Sequence, residues 1–171
     1  MYYKGFDYLI DAMRELDALL WIGGCGPLTQ TLQNQARAAE VSDKIVFTGR
    51  IPEDELVAYY SACDVFAMPS TDRSEAFGIV QLEAMHCGKP VVSTRLGNGV
   101  EFVNRDGETG FLVEPRDTPA LVSAISRLLD DASLRQRFGA TGRAWVSQGF
   151  SMQSMVADTL AVYQQVLQQA K

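Results

Sequence analysis

Histidine and cysteine are scarce in this sequence of 171 residues, and their scarcity limits the chemistry available to it. A histidine-based catalytic pair could use only His86, because the chain has one histidine. The three cysteines, Cys25, Cys63 and Cys87, are odd in number and form no C-x-x-C pair, which argues against a disulfide framework or a zinc site. We therefore expect reduced thiols in a cytoplasmic protein.

Long apolar runs and an excess of positive charge are also absent. No stretch approaches the ~20 apolar residues of a membrane-spanning helix, and the N-terminus has no apolar segment of signal-peptide length. Fifteen basic and twenty-one acidic residues give a net charge of −6, which argues against a nucleic-acid-binding surface. One pyrophosphate could still bind, because it needs only a few local donors.

Short apolar runs alternate with helix-like segments as far as residue 113, and only helical patterns follow. Short buried strands alternating with helices predict an α/β fold, with a parallel sheet covered by helices on both faces. We find no linker or repeat and predict one domain over residues 1–171. The predicted strands cover residues 19–22, 45–47, 65–68, 90–93 and 110–113, and the predicted helices include residues 28–40, 52–62, 77–87, 118–129, 132–146 and 152–169.

In such a sheet, ligands bind beyond the carboxyl ends of the strands, where residues 70–78 lead into a helix. Gly78 would let a ligand approach the backbone, and the free N–H groups of the helix start predict a phosphate site. Glu83 is the only charged residue between Phe77 and Gly88. Because a buried carboxylate needs hydrogen bonds, Glu83 either binds a sugar or ribose diol, pairs with an arginine, or faces solvent.

Glu75 and Glu83, eight positions apart, are spaced as in the family-four retaining glycosyltransferases, which this chain resembles over nearly its whole length. The resemblance begins with Lys4 and Gly5 ahead of the first helix. Further motifs follow in the family's order at residues 24–27, 46–52, 67–70, 88–92 and 106–113.

The resemblance implies the C-terminal, nucleotide-sugar-binding half of a GT-B fold, with a Rossmann-like sheet. Family members carry a further strand just before the Lys-Gly pair, ending in Gly-Arg-Leu, whose arginine is the second pyrophosphate cation. That strand would be central, so we expect a first strand to be missing and a gap beside residues 19–22. The N-terminal acceptor half would also be missing, leaving an isolated domain without transfer activity. Peripheral membrane contact is expected only through that half.

The resemblance also implies roles for individual residues. Glu75 would contact hydroxyls of the donor sugar and Lys4 would neutralise the pyrophosphate, so these two are the expected catalytic residues. Glu83 would bind the ribose hydroxyls. The other expected donor-binding residues are Gly24 and Gly26 near the phosphates, Arg50 and Ile51 at the base, and Ala76, Phe77, Gly78, Ile79 and Val80 around the sugar and the distal phosphate.

The implied reaction transfers a sugar from a nucleoside diphosphate, UDP or GDP, with retention of anomeric configuration, by front-side attack through an oxocarbenium-like state. Polysaccharide synthesis is the family's usual setting. No cofactor is expected, and the absence of an Asp-x-Asp motif fits a reaction that needs no metal. Two alternatives remain: a binding module without turnover, and an epimerase or phosphorylase of similar fold, although no acid–base groups or cofactor-bearing lysine suited to these are evident.

Residues 151–171 are expected to form a terminal helix that crosses back to the N-terminal half. Its apolar stripe would then be partly exposed in this chain and would favour self-association. The alternative is that the helix packs entirely on its own sheet. The stripe consists of Met152, Met155, Val156, Leu160, Tyr163, Val166 and Leu167.

Overall fold

Five strands alternate with helices in the computed structural model, which describes residues 2–169; Met1, Ala170 and Lys171, the outermost residues of the predicted domain, lie outside this range. Short 3-10 helices cover Tyr2–Lys4 and Ser42–Lys44. The strands are β1 Leu20–Gly23, β2 Ile45–Gly49, β3 Phe66–Met68, β4 Val91–Thr94 and β5 Gly110–Val113. The helices are α1 Phe6–Ala12, α2 Thr29–Ala38, α3 Leu56–Ala62, α4 Ile79–His86, α5 Gly99–Val103, α6 Thr118–Asp130, α7 Ala132–Gly149 and α8 Met152–Gln169.

These strands form two parallel sheets, whereas we predicted one. β1 pairs with β2, beginning with Leu20 opposite Ile45, and a second sheet has the order β3-β4-β5. Within residues 2–169 no strand joins β1 to β3, so each has one edge without a strand partner. A large cavity lined by both strands lies between these edges. The gap expected beside residues 19–22 is therefore confirmed.

Helices cover both faces of the three-stranded sheet. The neighbouring β4 residues Val91 and Val92 are both fully buried, but they belong to different apolar clusters. Val92 packs in a cluster with α1 and α6, whereas Val91 packs with α4 and α7. Because successive side chains of a strand point to opposite faces, this arrangement confirms the predicted α/β fold.

One helix, α5, lies in a stretch for which we predicted neither a helix nor a strand. The side chain of Asn98 accepts a hydrogen bond from the Val100 N–H at 3.1 Å and so caps the first turn. Asparagine before a helix is a recognisable signal, but five residues are too few for apolar spacing to reveal a helix. α4 also begins at Ile79 rather than at residue 77, because Gly78 is left-handed, with φ of 73°.

The terminal helix α8 has the bounds predicted from helical spacing, residues 152–169, and none of its residues is buried. Of the wider range 151–171, residues 170 and 171 lie outside the described residues. The alternative in which α8 packs on its own sheet is therefore wrong. The predicted apolar stripe is exposed along its length, at Met152, Met155, Val156, Leu160, Tyr163, Val166 and Leu167.

Candidate functional site

A cavity of about 930 Å³ opens between the two sheets and extends past the carboxyl ends of β1 and β3. Its walls near the strands are largely apolar, with Leu20, Ile22 and Phe66 among them. Six of the residues predicted to bind a donor also line it: Lys4, Gly24, Gly26, Arg50, Ile51 and Val80.

Lys4 and Glu75, the two predicted catalytic residues, form an ion pair at one side of this cavity. The Lys4 ammonium donates a hydrogen bond to Glu75 Oε2 at 2.5 Å, and the Ser70 hydroxyl donates to the same oxygen at 3.2 Å. Glu75 is only 8% exposed, whereas the Lys4 side chain retains 28% of its accessible surface. The carboxylate is thus almost removed from water and satisfied, while the ammonium can still reach an incoming anion.

The loop that carries Glu75 is held by hydrogen bonds from both sides. Asp72 accepts from the N–H of Ser74 at 2.8 Å and from its hydroxyl, and these bonds lower the pKa of Asp72. The Asn98 side-chain amide donates to the Glu75 carbonyl at 2.8 Å, and the Gly99 N–H donates to the Ala76 carbonyl at 3.1 Å. These contacts fix the backbone at the predicted sugar-binding residues.

The first turn of α4 lies next to this loop. N–H groups in the first turn of a helix have no acceptor within the helix, so those of Ile79 and Val80 are available to an anion. Gly78 is buried, and a Cβ added there would lie 2.7 Å from Met68 Cε and 2.8 Å from Gln81 Nε2. A glycine therefore suits position 78 for two reasons: it allows the left-handed conformation, and it allows close packing beneath the turn.

Glu83 lies on the exposed face of α4, so the possibility that its carboxylate is buried is wrong. The helix instead buries Gln81, Ala84 and Met85. In the structure the partner of Glu83 is neither an arginine nor solvent alone. The Tyr60 hydroxyl donates to Glu83 Oε2 at 2.7 Å.

Tyr60 is the residue of this site that we did not predict. Burial raises the pKa of its phenol, and the hydrogen bond to Glu83 and the charge of that carboxylate raise it further, so Tyr60 remains a donor at neutral pH. Tyr60 lines the cavity, as Lys4 does. Each glutamate is therefore joined to the cavity by one wall residue. The only indication in the sequence that Tyr60 belongs to this site is its position on a helix beside β3. A tyrosine at such a position more often packs in a core.

The opposite side of the cavity is formed by the ends of β1 and β2. The Gly24 N–H donates to the Gly49 carbonyl at 2.7 Å, which ties the two strand ends together. Gly24 and Gly26 are exposed, and a Cβ at either would meet nothing within 4 Å. Arg50 follows directly on β2 and is exposed. This side therefore offers backbone groups and open space.

Two further classes of site were sought among residues 2–169. No group of three or more His, Cys, Asp or Glu side chains in that range is arranged to hold a metal ion. None of the described helices is long and apolar enough to cross a membrane.

A family model for the glycosyl transferases group 1 matches residues 1–145. This chain belongs to that family. Over 152 residues it is 43% identical to a GDP-mannose-dependent alpha-(1-6)-phosphatidylinositol monomannoside mannosyltransferase of Mycolicibacterium smegmatis, covering 83% of this chain and 40% of that protein.

Solved structures agree with the family and with the predicted fold. The sucrose-phosphate synthase of Thermosynechococcus elongatus superposes with a TM-score of 0.86 at 30% identity, over 98% of this chain and 43% of that one. HepE of Anabaena in complex with UDP-glucose has a TM-score of 0.86 at 27% identity, over 95% of this chain and 46% of that one. The chain thus spans less than half the length of each of these three proteins.

Proposed function

We propose that this chain is the donor-binding half of a retaining glycosyltransferase and that its donor is a GDP-sugar of the GDP-mannose class. The observation that carries this proposal is the Lys4–Glu75 pair, in which one cation lines the cavity and holds the carboxylate expected at the sugar. The named requirement of the mycobacterial relative for GDP-mannose favours guanine over uracil as the base.

Lys4 and Glu75 would exchange partners when the donor binds. A diphosphate carries more negative charge than one carboxylate, so it would draw the flexible Lys4 ammonium toward itself. Glu75 Oε2 would then accept hydrogen bonds from sugar hydroxyls while it keeps that of Ser70. The pair thus holds both groups in place before the donor arrives, so that little reorganisation is needed on binding.

The start of α4 would hold the distal phosphate and the sugar. The N–H groups of Phe77, Gly78, Ile79 and Val80 and the positive end of the helix dipole would face the charge that develops on the departing diphosphate. Ala76 would contribute through its backbone position, which its carbonyl bond to Gly99 supports.

The rest of the donor would lie across the cavity. Glu83, which accepts a hydrogen bond from Tyr60, would also accept hydrogen bonds from the two ribose hydroxyls. The backbone at Arg50 and Ile51 would contact the base. Gly24 and Gly26 would leave room for the phosphates, since neither position has a neighbour within 4 Å of an added Cβ.

Retention is proposed from family membership and agrees with the carboxylate arrangement. Glu75 is engaged by Lys4 and Ser70, which suits a group that orients the sugar rather than one that attacks it. A module that binds the donor without turnover would use the same residues. A transfer assay with the acceptor half supplied would separate that alternative from an enzyme.

The test of the proposed donor is calorimetric titration of the chain with GDP, UDP and ADP. We expect GDP to bind in the micromolar range and Glu83→Ala to abolish that binding. Glu108→Ala serves as the matched control, because Glu108 is an exposed loop carboxylate paired with Arg105. Tighter binding of UDP would contradict the choice of base, and an equal loss in both variants would contradict the role of Glu83.

We further propose that the gap between β1 and β3 accepts one additional strand. Both edges lack a strand partner within residues 2–169, and the cavity between them is lined by apolar side chains. An N-terminal extension with strand-forming apolar residues should raise the free energy of unfolding, whereas a Gly/Ser extension of equal length should not. Equal stability of the two extended proteins would argue against a strand in the gap.

We propose that the exposed stripe of α8 contacts the acceptor half and that, in this chain alone, it leads to self-association. Sedimentation at increasing protein concentration should reveal larger species. Leu160→Glu should reduce them, whereas Gln164→Glu, which adds the same charge at an exposed polar position of α8, should have less effect. A monomer at every concentration would rule out self-association through α8.

The three cysteines are free thiols in the structure, which supports a cytoplasmic location.

A further inference from the structure

The Lys4 side chain extends from a short segment that is attached to the loop after β3. The Thr71 N–H donates to the Tyr3 carbonyl at 2.8 Å, and the Thr71 hydroxyl lies 3.5 Å from the same oxygen. The Lys4 ammonium lies 5.3 Å from the centroid of the Tyr3 ring. The residue before Lys4 is therefore held by the same loop that leads to Glu75.

The residue after Lys4 is held by close packing. Gly5 is buried and left-handed, with φ of 67°, and it is the N-cap residue directly before α1. A Cβ at Gly5 would overlap the Pro69 carbonyl oxygen and approach Thr71 Cγ2 to 3.1 Å. The overlapped atom belongs to the backbone, so it cannot move aside as a flexible side chain would. Any other residue at position 5 must displace the segment that carries Lys4.

We propose that Gly5 and Thr71, the latter through its backbone N–H, are positioning residues that hold the Lys4 ammonium where it meets the diphosphate of the donor. The inference rests on the proposed function, in which Lys4 is a cation for that diphosphate. A lysine side chain has large rotamer freedom, so its ammonium is directed only if the backbone on both sides is fixed. Tyr3 and Gly5 fix the two sides, and both are anchored on residues 69–71.

The test is a double-mutant cycle on GDP binding, using Lys4→Ala, Gly5→Ala and the two combined. Lys4→Ala should weaken GDP binding roughly tenfold or more, as expected for loss of a charge-assisted hydrogen bond, and leave guanosine binding unchanged. Gly5→Ala should cause most of the same loss for GDP and none for guanosine. The double variant should bind no more weakly than Lys4→Ala alone.

Gly107→Ala is the matched control. Gly107 is also left-handed, with φ of 75°, but a Cβ there has no neighbour within 4 Å. It thus reproduces the backbone strain without the overlap, and it should leave GDP binding unchanged. Thr71→Pro, which removes the N–H donor from the other anchor, provides a second variant if Gly5→Ala does not fold.

A readout without ligand separates this inference from the donor assignment. Displacing the segment should break the Lys4–Glu75 pair, so amine acylation of Lys4, followed by mass spectrometry, should be faster in Gly5→Ala than in the wild type and Gly107→Ala. Failure of the wild type to bind any nucleoside diphosphate would refute the proposed function, and the acylation rates would still decide the positioning. Additive losses in the cycle, or an unchanged acylation rate in Gly5→Ala, would overturn the inference.

Discussion

The carboxyl ends of the two sheets carry opposite kinds of site residue. At the three-stranded sheet, Ser70 and Glu75 are buried and hydrogen-bonded, and Lys4 completes an ion pair. At the two-stranded sheet, Gly24 and Gly26 are exposed, with open space around them. Under the proposed function, charge near the phosphates and the sugar is held in place beforehand, whereas the side toward the base offers space and backbone groups.

The same contrast extends into the interior. All the buried polar residues among the described part of the chain lie in β4, in α4, or in loops next to the three-stranded sheet. Asn104 is the centre of one such network: its amide donates to the Val91 carbonyl, the Ser93 hydroxyl and the Phe111 carbonyl. A buried network of this kind rigidifies its surroundings only while every member is satisfied. The three-stranded half should therefore tolerate polar losses less well.

The largest effect that we expect is on folding stability. Asn104→Leu leaves buried acceptors unsatisfied and should lower the free energy of unfolding by about 3 kcal/mol. In the other sheet, Thr48→Val removes a partly buried hydrogen bond to the Ile22 carbonyl and should cost about 1 kcal/mol or less. Urea denaturation of both variants measures the difference. Equal losses would show that the two sheets do not differ in this respect.

A smaller effect should distinguish glycines that serve the fold from glycines that leave space. Gly78→Ala forces a left-handed alanine against Met68 and should destabilise the protein by about 2 kcal/mol. Gly26→Ala should change stability by less than about 0.5 kcal/mol. It should nevertheless weaken GDP binding roughly three- to tenfold, equivalent to about 1 kcal/mol.

Thermal unfolding and calorimetric titration of both glycine variants test this pair. If Gly26→Ala binds GDP as tightly as the wild type does, the open space at Gly26 is not needed by the phosphates of the donor. A Gly78→Ala protein of wild-type stability would show that the helix start adapts to a side chain.

The smallest effect concerns Tyr60 and pH. Its raised pKa means that the phenol should not ionise at a pH of about 10, the usual value for tyrosine. The stability that the Tyr60–Glu83 hydrogen bond contributes is complete below that pH and is lost as the pH rises through the higher folded pKa. Tyr60→Phe removes this one hydrogen bond but leaves the Glu83 carboxylate in place, so it should weaken GDP binding only slightly at neutral pH.

Phenolate absorbance measured against pH in the wild type and in Tyr60→Phe isolates this group. The difference between the two curves should have its midpoint at a pH above the usual tyrosine pKa of about 10. A difference curve centred near the usual value would contradict the raised pKa.

Much of the fold could be predicted from apolar spacing and from breakers. All five predicted strands are present, and β5 has the predicted bounds, because short apolar runs between glycines and prolines have few other uses in a globular domain. The helix α5 could not be predicted in this way, because five residues carry no clear period. The division into two sheets was not predicted: only a gap beside residues 19–22 was expected, from the family resemblance, and no local property of β1 or β3 signals the division.

The site divides in the same way. The donor site was predicted from the family resemblance, in which the spacing of Glu75 and Glu83 is joined by further motifs in the family's order. These motifs can be recognised in a sequence because residue types and intervals along the chain are local properties. Which groups bind the two carboxylates was decided only by tertiary structure. Lys4 lies 71 positions from Glu75, and Tyr60 lies 23 positions from Glu83. Contacts over such separations depend on how strands and helices pack, and no local pattern records that packing.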